Sequence, residues 1–463
     1  MDDLIFASVK DLAQAIKAKA VSSEEVVKAC LQRIDAVNGQ LNAIVQLTPD
    51  KAIDQAREAD AAISRGDIKG LLHGIPMTIK DSFETAAMIS TGGTKGRATF
   101  VPHQDATVVA RLRAAGAILL GKTNTPELTL AGETDNFVYG RTNNPYDLSR
   151  TSGGSSGGPA AIVASGGSPL DLGSDTAGSI RIPAHYCGIA GIKPTSGRVS
   201  RTGHIISFDM GALDALTQIG PMARFVEDLI LTLPIIAGPD WCDPAIVPKP
   251  LEDPESVDLK HLQAAFYTDN GITHASAATS RVVQIAVQAL ADAGMVVEEN
   301  CPPEIEQSAA IWDQLLISDG GAKVARLLRT AGTAQMHPSI QWTHSAKAIS
   351  IGEYSDLLTR WNLFRSKMLS FMKRYDLIIC PVSPSPAVPH GEVRGPEFSY
   401  TKAFNLTGWP SIVFRGGTSP EGLPIGVQLV ARPWREDVVL AAGRYLESIL
   451  GGWQRPPEQS KLI

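Results

Sequence analysis

Two serine and glycine clusters, Gly153-Gly154-Ser155-Ser156-Gly157-Gly158 and Gly173-Ser174-Asp175-Thr176-Ala177-Gly178-Ser179, flank the apolar run Ala160-Ala161-Ile162-Val163-Ala164. Serine and glycine together usually make a flexible linker. A linker, however, would not enclose that run or lead into Ile180, Ile182 and Ile189, so the segment reads as folded and buried. Glycine lets a backbone curl until successive N–H groups point at one spot, and such a nest holds an anion. With a hydroxyl at its end, the nest becomes an oxyanion hole for acyl transfer, and Ser179 stands in that place. A serine hydroxyl also needs a base. His185 is the histidine nearest in the chain, but its Ile-Pro-Ala-His-Tyr-Cys context suits a packed core position.

Lys80 is the other candidate base. It follows the apolar stretch Ile75–Ile79, which predicts a buried strand. Burial would drive the amine from about 10.4 toward neutrality and leave it able to take a proton. A strand-end lysine turned to solvent beside Asp81 is the alternative reading.

These residues together resemble the amidase signature family of serine hydrolases. Its pattern is a lysine after an apolar strand, a GGSSGG segment and a G-S-D-T-G-G-S-I-R-x-P-A run. Gly121-Lys122-Thr123-Asn124, Ile219–Arg224, Asp376–Pro381, Asn405–Gly408 and Pro424–Leu429 are further landmarks, which leave only about residues 240–370 without one. The resemblance implies that Lys80 is the catalytic lysine, Ser155 the serine following a cis peptide bond, and Ser179 the acylated nucleophile. It implies an oxyanion hole of the N–H groups of Thr176, Ala177, Gly178 and Ser179, with Asp175, Arg181 and Ser156 supporting the site. The expected activity is a cofactor-free and metal-free hydrolysis of carboxamides, anilides, carbamates or esters with an apolar portion, by a monomer or homodimer.

The chain departs from the family pattern twice. Ala177 replaces a glycine, and since a left-handed conformation would cost its methyl about 1–2 kcal/mol, an ordinary φ is expected there. Ile182 stands where the amidotransferase subunits that make Gln-tRNA carry glutamine, which argues against that role.

The fold class expected is α/β, since apolar strand candidates at Ile75–Ile79, Ala117–Leu120, Leu377–Cys380, Ser411–Phe414 and Gly426–Val430 alternate with helix-like stretches such as Asp105–Ala115. The resemblance implies a single domain over 1–463, with one central, twisted, mixed sheet covered by helices on both faces. Ser8–Gly66 reads as helical, with a capping box at Ser22–Glu25, and residues 1–66 are expected to wrap the core. Ser276–Gly294 and Ser308–Ala331 read as helices too. Residues 240–370 are the expected pocket-forming region, with Trp312, Leu315, Leu316, Ile317, Trp342 and Trp361 as candidates to line an apolar pocket.

Composition excludes several classes. A net charge of −6 offers no basic footprint for nucleic acid. The longest apolar candidate for a membrane span, Leu229–Gly238, is too short and contains Pro234. The acidic start Met1-Asp2-Asp3 does not read as a secretory signal, and the five scattered cysteines form no CxxC pair, so a cytoplasmic protein without zinc or disulfides is expected. A phosphate loop is set aside because Pro159 follows the first glycine cluster instead of Gly-Lys-Ser/Thr.

Two competing functions remain. Gly154-Ser155-Ser156-Gly157-Gly158 formally matches a nucleophile elbow, with Ser156 as nucleophile and His390 as base, although the preceding residues read as loop where an elbow needs a strand. The other is a partner-dependent role within an amidotransferase complex.

Overall fold

The structure, a computed structural model, describes residues 2–208 and 210–457. Met1, which opens the acidic start, and residues 458–463 of the expected domain lie outside the described residues. The strands are β1 (Ile44–Leu47), β2 (Pro76–Lys80), β3 (Ile118–Thr123), β4 (Leu170–Asp175), β5 (Ala190–Lys193), β6 (Gln218–Ala223), β7 (Gln263–Phe266), β8 (Val296–Glu299), β9 (Leu377–Pro381), β10 (Ser411–Thr418) and β11 (Pro424–Ala431). Eight of them form a mixed sheet in the order β4-β6-β5-β10-β11-β9-β7-β8. Pairing is antiparallel from β4 to β9, and parallel where β7 meets β9 and β8. Every residue of β4, β6, β9 and β11 is buried. Helices Gly157–Ala164, Arg181–Cys187, Val226–Ile236, Ala277–Asp292 and Glu436–Leu450 pack on this sheet, giving the expected single mixed α/β domain.

The lysine strand is not part of that sheet. β2 pairs in parallel with β3, and β3 pairs antiparallel with β1, so the expected single sheet is accompanied by a separate three-stranded one. The Asp171 carboxylate of β4 joins the two by accepting hydrogen bonds from Thr78 of β2 at 2.6 Å and Thr123 of β3 at 3.0 Å.

Two helical expectations need correction. Ser22 and Glu25 form the expected capping box of the Ser23–Leu41 helix, but Asn42 ends that helix in a left-handed conformation (φ 49°) and Ile44–Leu47 then pairs with β3, interrupting the helical stretch of Ser8–Gly66. Ser308–Ala331 is two helices, Gln307–Ile317 and Ala322–Ala331, broken at Gly320 (φ 67°) and Gly321 (φ 78°), where glycine alone adopts such angles without strain. Pro234 lies inside the 11-residue helix Val226–Ile236, and no described helix is long and apolar enough to cross a membrane.

Candidate active site

Lys80 closes β2 with its side chain fully buried, so the solvent-facing alternative fails. Its Nζ lies 2.7 Å from Ser155 Oγ, 2.9 Å from Ser156 Oγ and 2.9 Å from Ser174 Oγ. Burial pushes its pKa well below the usual lysine value, opposed by the charges of Asp171 and Asp175. The lysine is thus held toward the neutral amine, a proton acceptor in contact with a serine hydroxyl.

The first serine cluster is shaped by its surroundings. The Gly154–Ser155 peptide bond is cis, the Ser155 carbonyl accepts from Thr125 Oγ1 at 3.0 Å, and Ser156 immediately precedes the buried helix Gly157–Ala164. Gly158 leaves no room for a side chain, since a Cβ there would sit 2.4 Å from the Asn124 nitrogen. The Ser156 N–H donates to the Ser179 carbonyl at 3.2 Å, which draws the two clusters together.

In the second cluster Gly178, not Ala177, takes the positive φ, at 142°, and the expectation for Ala177 holds. A Cβ on Gly178 would fall 2.5 Å from Thr401 Oγ1, the hydroxyl that donates to the Ala177 carbonyl at 2.5 Å. The N–H groups of Ala177, Gly178 and Ser179 find no protein acceptor among the described residues. Thr176 is fastened at two points: its hydroxyl lies 2.9 Å from that of Thr217, and its carbonyl accepts from Trp312 Nε1 at 2.9 Å.

Beneath this loop Asp175 and Arg181 form a fully buried ion pair, with Arg181 Nη2 2.9 Å from Asp175 Oδ1. The carboxylate also accepts from the Ile180 N–H at 3.1 Å and Asn405 Nδ2 at 2.8 Å. These partners outweigh burial and hold the Asp175 pKa down, at about 2. Arg181 in turn donates to Gln428 Oε1 at 2.8 Å and the Thr401 carbonyl at 3.0 Å, so segments far apart in the chain converge on one guanidinium.

A cavity of about 790 Å³ opens over Ser179, walled by Leu130, Trp312, Leu316, Trp342, Val393 and Phe398. Of the aromatic and aliphatic candidates, Trp312, Leu316 and Trp342 line it. Trp361 instead donates to the Leu406 carbonyl at 2.9 Å, Leu315 borders a neighbouring hollow, and Ile317 lines neither. Lys402, ion-paired with Asp313 at 2.7 Å, lies 4.5 Å from the Trp312 ring centroid and braces this wall. Sequence reasoning missed Ser174, Thr401 and Lys402.

The histidines stand elsewhere. His185 is buried, takes the Gly426 N–H on Nδ1 at 2.7 Å, and is pushed down to about 4 by burial. His390 has Glu133 Oε1 2.5 Å from Nδ1 and the Leu148 carbonyl 3.1 Å from Nε2, so neither nitrogen faces Ser156, and no strand immediately precedes Ser156. Among the described residues no cluster of His, Cys, Asp or Glu has the makings of a metal site.

The Amidase family profile matches residues 25–440. A glutamyl-tRNA(Gln) amidotransferase subunit of Moorella thermoacetica is 34% identical over 98% of this chain and 99% of its own length. Among solved structures, fatty acid amide hydrolase superposes with a TM-score of 0.89 at 27% identity, covering 97% of this chain and 86% of that one. A bacterial aryl acylamidase of the amidase signature enzymes superposes with a TM-score of 0.87 at 26% identity over 96% of each chain. A buried lysine among serines, a glycine-rich loop and a match spanning nearly the whole chain agree: this protein belongs to the amidase signature family.

Proposed function

We propose that the protein is a free-standing amidase that hydrolyses carboxamides or anilides with an apolar portion through an acyl-enzyme on Ser179. The observation that carries this reading is the buried Lys80 Nζ, 2.7 Å from Ser155 Oγ, beside a loop that ends in Ser179 at the floor of the cavity. Neutral Lys80 takes the Ser155 proton while Ser155 takes that of Ser179, whose oxygen attacks the carbonyl carbon. The N–H groups of Thr176, Ala177, Gly178 and Ser179 hold the oxyanion, and the relay runs backward to protonate the leaving amine. Water then releases the acid by the same relay.

The two tryptophans, Phe398 and the aliphatic residues of the wall favour a substrate with a flat or bulky apolar group. Carbamates and activated esters present the same carbonyl to the same nucleophile and are expected as secondary substrates. The relatives named as amidotransferase subunits favour a second reading, in which a partner protein completes the activity. Ile182 supports the free-standing one: it is fully buried and apolar, where the family resemblance leads one to expect glutamine in an amidotransferase subunit. The isolated protein, assayed on a panel of p-nitroanilides, aryl esters and aryl carbamates, should cleave anilides, and Ser179→Ala should not. Absence of hydrolysis in the isolated protein across the panel would favour the partner-dependent reading.

A further inference from the structure

Asp171 is a buried carboxylate that the relay leaves without a task. It is fully buried on β4. Besides the hydroxyls of Thr78 and Thr123, it accepts from the Leu172 N–H at 2.7 Å. None of these donors is a cation, and a carboxylate buried without one is costly and is pushed toward its protonated form. The bonds come from both sheets: Thr78 lies on β2, two residues before Lys80, Thr123 on β3, and Asp171 itself on β4. A negative charge on it favours the protonated form of two buried lysines, Lys80 and Lys122.

We propose that Asp171 is the positioning residue for Lys80: it pins the end of β2 from which the lysine extends, and when ionised sets a negative charge near Nζ that balances the ammonium formed during acylation. The inference rests on the lysine-base reading above. In that step the Ser179 O–H breaks as its oxygen bonds the carbonyl carbon, Ser155 exchanges one proton for another, and a new N–H bond forms on Lys80. Positive charge therefore appears on Lys80 as negative charge appears on the substrate oxygen, in a buried site. Asp171 supplies the compensation without bonding to Nζ, which leaves the amine free for Ser155.

The other charged groups around Lys80 are already committed. Asp175 of β4 is paired with Arg181, and Asp81, next in the chain, bonds Thr91 and lies 4.0 Å from Lys122 of β3. His204 is kept neutral by burial, at about 3. Burial raises Asp171 itself to about 7, so it is ionised above neutral pH, where neutral Lys80 is also most abundant.

The test is the rate at which a fluorophosphonate labels Ser179, followed by mass spectrometry across pH, in wild type, Asp171→Asn, Thr123→Val and Lys80→Ala. Asp171→Asn keeps the size and an acceptor for the threonines while removing the charge. Its loss should shift the lysine-dependent limb about one unit to lower pH and slow plateau labelling about tenfold. A limb that stays in place while the melting temperature falls makes Asp171 a structural tie only and overturns the proposal. Should Asp171→Asn not fold, Thr123→Val decides: losing one donor to the carboxylate should move the limb the same way by less, and an unmoved limb overturns the proposal. If Lys80→Ala labels with an unchanged limb, the lysine-base reading itself falls.

Discussion

Lys80 and Lys122 leave neighbouring strands of the same small sheet, where Ile79 is opposite Lys122 and Lys80 opposite Thr123, and both are fully buried. Their surroundings differ. Lys122 donates to the Phe83 carbonyl at 2.5 Å, to Thr85 Oγ1 at 2.8 Å and to Ser90 Oγ at 3.2 Å, with the Asp81 carboxylate 4.0 Å away. Carbonyl and carboxylate oxygens only accept, so this setting favours the ammonium, and burial lowers its pKa only to about 8. The hydroxyls of Ser155, Ser156 and Ser174 around Lys80 both donate and accept, and they accommodate amine and ammonium alike. Lys80 is pushed well below its ordinary value by burial. Burial alone does not make a lysine a base; a partner set indifferent to its protonation does.

Removing each lysine should therefore give opposite phenotypes. Lys80→Met is expected to lower amide kcat by about 10²–10⁴-fold with the fold retained, the usual worth of a general base. Lys122→Met leaves Asp81 buried without its cation, which costs about 3–5 kcal/mol, while the folded fraction keeps most of its kcat. Urea unfolding and anilide turnover of both variants check this, and a catalytic collapse in folded Lys122→Met would erase the distinction.

Stability against pH gives a second, smaller contrast. Lys122 has a folded pKa of about 8 and an unfolded one of about 10.4, so between these values the unfolded chain binds more protons and stability rises with pH. Lys193, lowered by burial to about 7, adds a climb that begins earlier. Thermal melts from about pH 7 to about pH 10.5 should show a slope against pH that is more positive in wild type than in Lys122→Met above about pH 8, although the buried thiols, raised by burial, oppose the climb in both.

Ser174→Ala and Ser90→Ala form the mildest pair, each removing one hydroxyl from one lysine. Ser174→Ala should slow acylation several-fold, because an ammonium partner is lost in the transition state. Ser90→Ala should cost about 1 kcal/mol of stability and leave kinetics alone. Stopped-flow acylation and thermal melts distinguish the two.

Much of the site was legible because glycine and serine advertise unusual backbone: Ser155, Gly178 and Ser179 stand in segments that neither a helix nor an ordinary strand would choose. Lys80 was legible from the apolar run before it. Asp171 was not, since Leu170-Asp171-Leu172 reads as a strand with one polar residue, and the threonines that hold it lie 93 and 48 residues away in the chain. The split into two sheets was hidden for a related reason: a short apolar run does not state which strand it will pair with. β1, four residues long between two helices, carried too little pattern to interrupt the helical reading of Ser8–Gly66.

The contrast between the two lysines is tested most directly by titrating their side chains. In protein labelled with 13C at the lysine Cε, the Lys80 and Lys122 resonances are assigned by their loss in Lys80→Met and Lys122→Met and followed from about pH 5 to about pH 11. The account predicts that Lys80 titrates below Lys122 and that amide turnover rises along the Lys80 curve. A Lys80 resonance titrating at or above that of Lys122, near the ordinary value of about 10.4, would contradict it.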